Sequence, residues 1–324
     1  MSIEIAPMSE SRLSESRLSR GIALRSAMAS IFRPLHRRTV FGAKEPGIRS
    51  LPWRACDRLV RVVFGSKLST RTRAGARMVV DIRDFIGKCI YHFGVWEPGI
   101  TAFLRRRLKP GDLFCDVGAH IGYHTLLAAN AVGPDGVVVA IEPSPATARA
   151  LRMNIAINDV RTVRVVEAAV AATPGTLSLY FGPPSNTGKT TTVEARGFTD
   201  RATVRAMPLE QILRPDEIRR VRLIKLDVEG AEGPILRHLL ETLHLYPSGM
   251  EVLAELADEQ TSSDALDANV IIGLFAEAGF HAYGIPNGYH LDEYLDPETP
   301  GCPSPIELPL RGQQDVLFSR RADT

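Results

Sequence analysis

The chain has 324 residues, 44% of them hydrophobic and 23% charged, with a formal net charge of +2. That is apolar material for a sizeable core, in one large domain with an extension rather than two full domains. No apolar run reaches the ~18–20 residues of a membrane span, and arginines interrupt residues 22–32, so the start does not read as a signal peptide. The four cysteines, Cys56, Cys89, Cys115 and Cys302, have no C-x-x-C pairing, which argues against zinc and for reduced, buried thiols in a cytoplasmic protein.

Residues 1–45 carry an imperfect Ser-Glu-Ser-Arg-Leu-Ser repeat and then an arginine-rich stretch, read as a basic arm with a disordered beginning. Residues 1–110 hold 22 basic against 8 acidic side chains and residues 111–324 hold 17 against 29. The basic part leaves three options open: a peripheral contact with anionic lipid or an acidic carrier, self-association with the acidic half, or plain solvation. Nucleic acid is disfavoured, because the acidic half would repel it. Residues 46–110 read as a small cap, with a helix over 55–64, strand-like segments at 77–82 and 88–91, and a helix over 98–108.

From residue 111 strands and helices alternate, the pattern of a doubly wound α/β domain with ligands at the carboxyl ends of a parallel sheet. The apolar run of Leu113, Phe114 and Cys115 ends on Asp116, and Gly118 and Gly122 follow, ahead of a helix over 125–131. A dinucleotide fingerprint needs G-x-G-x-x-G, whereas Ala119, His120 and Ile121 separate these two glycines. Asp116 stands where the first fingerprint glycine would be, and an acid there repels pyrophosphate but suits a cationic or hydroxyl-bearing ligand. A β-branched strand over 136–141 ends on Glu142, placed to accept both hydroxyls of a ribose. Further strands are expected at 162–166, 221–228, 251–256, 281–285 and 315–319, with an excursion at 176–181.

These segments resemble the FkbM-like family of class I S-adenosylmethionine-dependent O-methyltransferases. The resemblance rests on Trp96-Glu97-Pro98, the 109–123 block, Ile141-Glu142-Pro143-Ser144, Glu167-Ala168-Ala169-Val170, the Lys225-Leu-Asp227-Val-Glu229-Gly230 run through Glu232, and 314–318. Together they span about two-thirds of the chain, in order, and the Lys225–Gly230 run is the most specific. His120, where the family usually has Asn, and Glu210, where it usually has Asp, depart from the pattern. The resemblance implies a Rossmann-like methyltransferase sheet with an antiparallel last strand over 111–320, and S-adenosylmethionine as cofactor, released as S-adenosylhomocysteine. It implies cofactor contacts from Glu97, Asp116, Gly118, Ala119 and His120, and from Gly122, Tyr123, Glu142, Ser144 and Ala168. It implies as acceptor a hydroxyl of a sugar, glycolipid or polyketide-like secondary metabolite.

Strand alternation puts Lys225, Asp227 and Glu229 on one face at the cleft. Asp227 is the first candidate for contact near the transferred methyl or for general base, Glu229 the second, and Lys225 is placed to hold either carboxylate ionised. For Lys225 and Glu232 an internal ion pair that shapes the loop is an equal alternative. Glu255 is expected to face the acceptor. Asp227 and Glu229 are also hard oxygen ligands, but two carboxylates do not make a metal site and none is assigned. Gly182-Pro-Pro-Ser-Asn-Thr-Gly-Lys-Thr190 resembles a phosphate-binding loop with one residue too many between its glycines, and it is read as a mobile segment near the acceptor. Two competing readings are a non-catalytic cofactor-binding scaffold of a biosynthetic complex and a nicotinamide-dependent oxidoreductase.

Overall fold

The computed structural model describes residues 61–194, 198, 200–257, 267–296 and 302–322. The basic arm, most of the expected 55–64 helix and Cys56 lie outside these residues.

After a helical end at residues 61–64, the described chain forms a hairpin, β1 (Lys67–Arg71) against β2 (Arg77–Asp81). Helix α1 (Phe85–Phe93) follows, its first turn capped by Asp84, which accepts from the Gly87 amide at 3.0 Å, and its end closed by Gly94 in the left-handed region. The strand expected at 88–91 is therefore helix. A short apolar run has no period of its own, and the cap at Asp84 with Ile86, Cys89, Ile90 and Phe93 buried on one side decides it. Helix α2 (Pro98–Arg107) starts on a proline.

The main sheet then builds from β3 (Leu113–Val117), α3 (Tyr123–Val132), β4 (Val137–Ile141), α4 (Pro145–Ala156) and β5 (Val163–Val166). An excursion sheet follows, made of β6 (Ala169–Val170), β7 (Gly175–Tyr180) and β8 (Arg201–Met207) in the order β6-β8-β7. The sequence reading found β7 and missed its partner β8, in which exposed Arg201 and Arg205 hide the alternation. Two single-turn helices, α5 (Leu209–Ile212) and α6 (Pro215–Ile218), lead to β9 (Val221–Leu226), α7 (Glu232–Glu241), β10 (Glu251–Ala257), α8 (Ala268–Glu277) and β11 (His281–Ile285). Helix α9 (Leu291–Leu295), β12 (Ser304–Pro305) and β13 (Gln313–Ser319) close the described chain.

The strand order is β12-β11-β13-β10-β9-β3-β4-β5. β5, β4, β3, β9 and β10 are parallel, and β13 enters antiparallel between β10 and β11. This is the expected Rossmann-like sheet with its last strand reversed. β3 and β4 are buried almost end to end, because helices cover both faces of a parallel sheet and only a continuous apolar run fits between them. The order reverses at β3, between β4 and β9, and that switch point opens a crevice at the carboxyl ends of the strands.

The hairpin and α1 pack against this crevice. Leu68, Met78, Ile86 and Ile90 share one apolar cluster with Ala119, Tyr123 and Leu151 of the sheet domain. Buried Asn154 of α4 accepts from the Val79 amide at 2.8 Å and donates to the Ile121 carbonyl at 2.9 Å, joining hairpin, motif turn and helix. Cys89 and Cys115 are free and buried, as expected, whereas Cys302 is exposed. No described helix is long and apolar enough to cross a membrane.

The opposite end of the sheet is held by charge. Buried Glu251 accepts from the guanidinium of Arg107 and from the Ser319 hydroxyl at 2.6 Å, and forms an ion pair with Arg222 at 2.9 Å. Burial alone would raise this carboxyl, but the bonds from Arg107 and Ser319 hold it below the usual glutamate value. Glu251→Gln is expected to lower stability by ~3 kcal/mol, the scale for breaking a buried pair, read by urea unfolding at pH 7. A depressed folded pKa stabilises above the unfolded value, so the gap between wild type and variant should shrink as the pH falls through the lowered Glu251 pKa.

Candidate active site

The crevice holds a cavity of about 670 Å³, within the ~300–1,000 Å³ of small-molecule and cofactor sites. Its walls come from the tips of β3, β4 and β9, the start of α2, and the segment between β7 and β8.

Asp116 lies beside Ala140 of β4 on one side and Lys225 of β9 on the other. It is buried and accepts from the Thr125 hydroxyl at 2.5 Å, and burial pushes its carboxyl up. Glu142 ends β4, with one carboxylate oxygen on the His120 amide at 3.0 Å and the other on the Ser144 amide at 2.9 Å. Each oxygen keeps acceptor capacity toward the cavity, and burial pushes the group up to about 7. Gly118 lines the cavity and is also needed for packing. With φ at +82°, a Cβ there would sit 1.8 Å from the Asp227 carbonyl oxygen, so the close approach it permits is to the backbone after β9.

The β9 end carries the densest charge. Lys225 is 3% exposed, and its ammonium donates to Asp227 at 2.7 Å. Burial would push this ammonium down, but Asp227, Glu97 and Asp116 hold it above the usual lysine value. Asp227 has 28% of its side chain exposed, toward the cavity it lines. The chain then turns through Glu229 at φ +60° and Gly230 at φ +104°. Glu232 receives the Val228 and Gly230 amides at 3.0 and 2.8 Å. It shapes the loop as a cap on the turn, not as the partner of Lys225.

Glu97 faces this group from the start of α2. It holds a left-handed backbone at φ +44°, a conformation that costs a non-glycine residue and clusters at functional sites. Its carboxylate accepts from the Tyr289 hydroxyl at 3.3 Å and lies 3.7 Å from His124. Burial pushes Glu97 well above the usual range against the pull of Lys225, and pushes His124 well below it, toward its neutral form.

Of the residues expected at the cofactor, Glu97, Asp116, Gly118, Ala119, His120, Tyr123, Glu142 and Ala168 line the cavity, as do Lys225, Asp227 and Glu229. Gly122 and Ser144 do not. Gly122 starts α3 where a Cβ would strike Leu151 at 2.4 Å, and the Ser144 hydroxyl caps α4. Trp96 lines the cavity too, inside an aromatic group with Phe85 and Tyr289.

Glu255 adds a third carboxylate, and one oxygen each from Asp227, Glu229 and Glu255 lies within 4.8 Å of the others, a set able to hold a hard divalent cation. Directly across the β10–β13 pairing from Glu255 sits Asp315. Burial and the carboxylates of Asp227 and Asp315 push Glu255 up to about 10, and burial takes Asp315 to about 6. A second cavity of about 480 Å³ opens on this side, sharing Glu255, Tyr289 and Gln313 with the first. Sequence reasoning missed Asp315, Asn287 and Tyr289. The only signal was an acid near the start of the last strand, and its partner is set by a pairing of 60 residues' separation.

The model of the methyltransferase FkbM domain matches residues 116–281, from Asp116 to the start of β11. The chain belongs to the FkbM methyltransferase family. Among curated relatives, methyltransferase sdnD of Sordaria araneosa is 30% identical over 159 residues, 40% of this chain and 61% of that protein. Methyltransferase 1 of Beauveria bassiana is 26% identical over 149 residues, 40% and 59%. The chain thus spans about three-fifths of the length of these relatives. Among solved structures, fibrillarin of Aeropyrum pernix with bound S-adenosyl-L-methionine is similar at a TM-score of 0.39 and 14% identity, over 69% of this chain and 76% of that one. Precorrin-6y C5,15-methyltransferase of Geobacter metallireducens gives 0.37 and 13%, over 68% and 87%. The FkbM match covers the Lys225–Gly230 run and both acidic strand tips, but begins after Glu97.

The Gly118 geometry has a direct test. Gly118→Ala should lower stability by at least ~2 kcal/mol, since the backbone of the β9 tip must move and the left-handed conformation is strained. Thermal melting checks it, with Gly122→Ala as a control whose clash is with a flexible leucine end.

Proposed function

We propose that the chain is an S-adenosylmethionine-dependent O-methyltransferase acting on a hydroxyl of a small molecule, of the sugar, glycolipid or polyketide-like kind. One observation carries the reading: the charge of the cavity. Asp116, Glu142, Asp227 and Glu229 line it against Lys189 and Lys225, with Glu97 and Glu255 beside them pushed up by burial. Such a wall repels the pyrophosphate of a nicotinamide dinucleotide and attracts a sulfonium. The residues fit the cofactor in detail: Glu142, aimed by two backbone amides, retains acceptors for ribose hydroxyls, and Asp116 stands between it and Lys225.

When bound, S-adenosylmethionine supplies an electrophilic methyl group. The chain's task is then to bring an acceptor oxygen into line and take its proton. Asp227 is the general base, its carboxylate 2.7 Å from the Lys225 ammonium, and Lys225 is the positioning residue behind it. Glu229 and Glu255 stand around the same point. The acceptor enters from the second cavity, which Asn287, Gln313, Gln314, Asp315 and Ser304 line with hydrogen-bonding groups and to which the described residues contribute no lysine or arginine. Neutral polyols and amine-bearing acceptors suit it, phosphorylated ones do not.

Calorimetric titration with S-adenosylhomocysteine, with NAD and ATP as controls, tests the cofactor. Selective binding of S-adenosylhomocysteine is expected, and binding of NAD or of no ligand would sink the proposal. Glu142→Gln should weaken S-adenosylhomocysteine ~10–100-fold, the value of charge-assisted hydrogen bonds of ~1.5–3 kcal/mol. Because Glu142 titrates near 7 and the carboxylate is the better acceptor, affinity should be higher at pH 8 than at pH 6, a step absent from the variant. Asp227→Asn should leave this affinity within threefold and reduce turnover by ~100-fold or more, read as S-adenosylhomocysteine release in an acceptor screen that begins with glycosides.

A further inference from the structure

The Gly182–Thr190 run that resembles a phosphate loop is tied down on both sides. At its end, the Tyr180 and Thr191 backbones pair at 2.8 and 2.9 Å, and the Thr191 hydroxyl donates to the Glu229 carbonyl at 2.7 Å. In its middle, the Thr187 amide and hydroxyl both donate to one oxygen of Asp84, at 2.7 and 3.0 Å. The Phe85 amide donates to the Ser185 carbonyl at 2.9 Å, and His120 Nε2 lies 3.0 Å from the Thr187 hydroxyl. A hydroxyl has one proton, and Asp84 receives it. His120 is then the donor, with its proton on Nε2. His120 itself holds φ at +48°, a region that Asn tolerates better, and its ring is what spans the gap to the segment.

This latch makes residues 186–192 a wall of the first cavity. The wall brings a charge the rest of the lining lacks. Lys225 is buried and held 2.7 Å from Asp227, so it has little left for a ligand. Lys189, exposed on the wall, makes no ion pair among the described residues. The amino-acid end of S-adenosylmethionine is a zwitterion: its ammonium finds carboxylates in plenty here, and its carboxylate would otherwise meet only like charge.

The geometry points to Lys189 as the counter-ion of the cofactor's carboxylate, with Asp84, Thr187 and His120 as positioning residues that hold it over the cavity. The inference rests on the cofactor reading above. It gives the glycine-rich run an anion to bind, a carboxylate in place of a phosphate.

The test compares two probes, S-adenosylhomocysteine and 5′-methylthioadenosine, which keeps the nucleoside and thioether but has no amino-acid end. Lys189→Ala should weaken the first at least tenfold and leave the second within twofold, and Lys189→Arg should restore most of the loss. Thr187→Val should act in the same direction on the first probe and Thr187→Ser should recover it. Without any ligand, amide hydrogen exchange over residues 182–192 should rise in Thr187→Val and His120→Asn but not in Lys189→Ala. Equal affinity of wild type and Lys189→Ala for S-adenosylhomocysteine, or equal weakening toward both probes, overturns the role of Lys189 alone. A wild-type protein that binds neither probe overturns the cofactor reading and this inference together.

Discussion

The buried ammonium of Lys225 is the constraint around which the crevice is arranged. A lysine 3% exposed is tolerated only where carboxylates repay its lost hydration. They come from three directions: Asp116 on the neighbouring strand, Asp227 two residues on, and Glu97 from the start of α2. None of these elements is free to move without stranding a charge. The left-handed Glu97, the Gly118 contact with the β9 turn and the switch-point order of the sheet all serve to bring those carboxylates to one cation. Asp227 alone among them keeps a substantial share of its side chain open to the cavity.

The parallel core was legible because burial on both faces leaves a strand no choice but an apolar run, as in Leu113–Val117 and Val137–Ile141. The acids at their tips were legible because the chain must leave the sheet there and meet solvent or ligand. Segments of marginal period were not. Residues 88–91 read as strand because four residues cannot show a turn of helix, and Arg201–Met207 was missed because its exposed arginines hide the alternation.

Within the site, residues close in sequence to a motif were found, and those delivered by long-range pairing were not. Asp315 reaches Glu255 only through the β10–β13 register, and Asp84 reaches Thr187 only once α1 has packed against the crevice. The glycine-rich run shows the same limit from another side. Its spacing argues against a phosphate cradle, but spacing says nothing of what the segment touches. Gly118 stands out in the motif, while the atom that forbids a side chain there belongs to a residue more than a hundred positions away.

The place of β13 has a consequence for how the molecule comes together. It follows every other described strand in the chain, yet it lies between β10 and β11. Until it arrives, β11 has no neighbour on that side and the edge of β10 is open. Pairing of this kind closes long loops and is intrinsically slow. The β3, β4 and β9 side of the crevice is thus built from earlier segments of the chain than the wall bearing Asp315 and Gln313, which exists only once β13 has paired with β10.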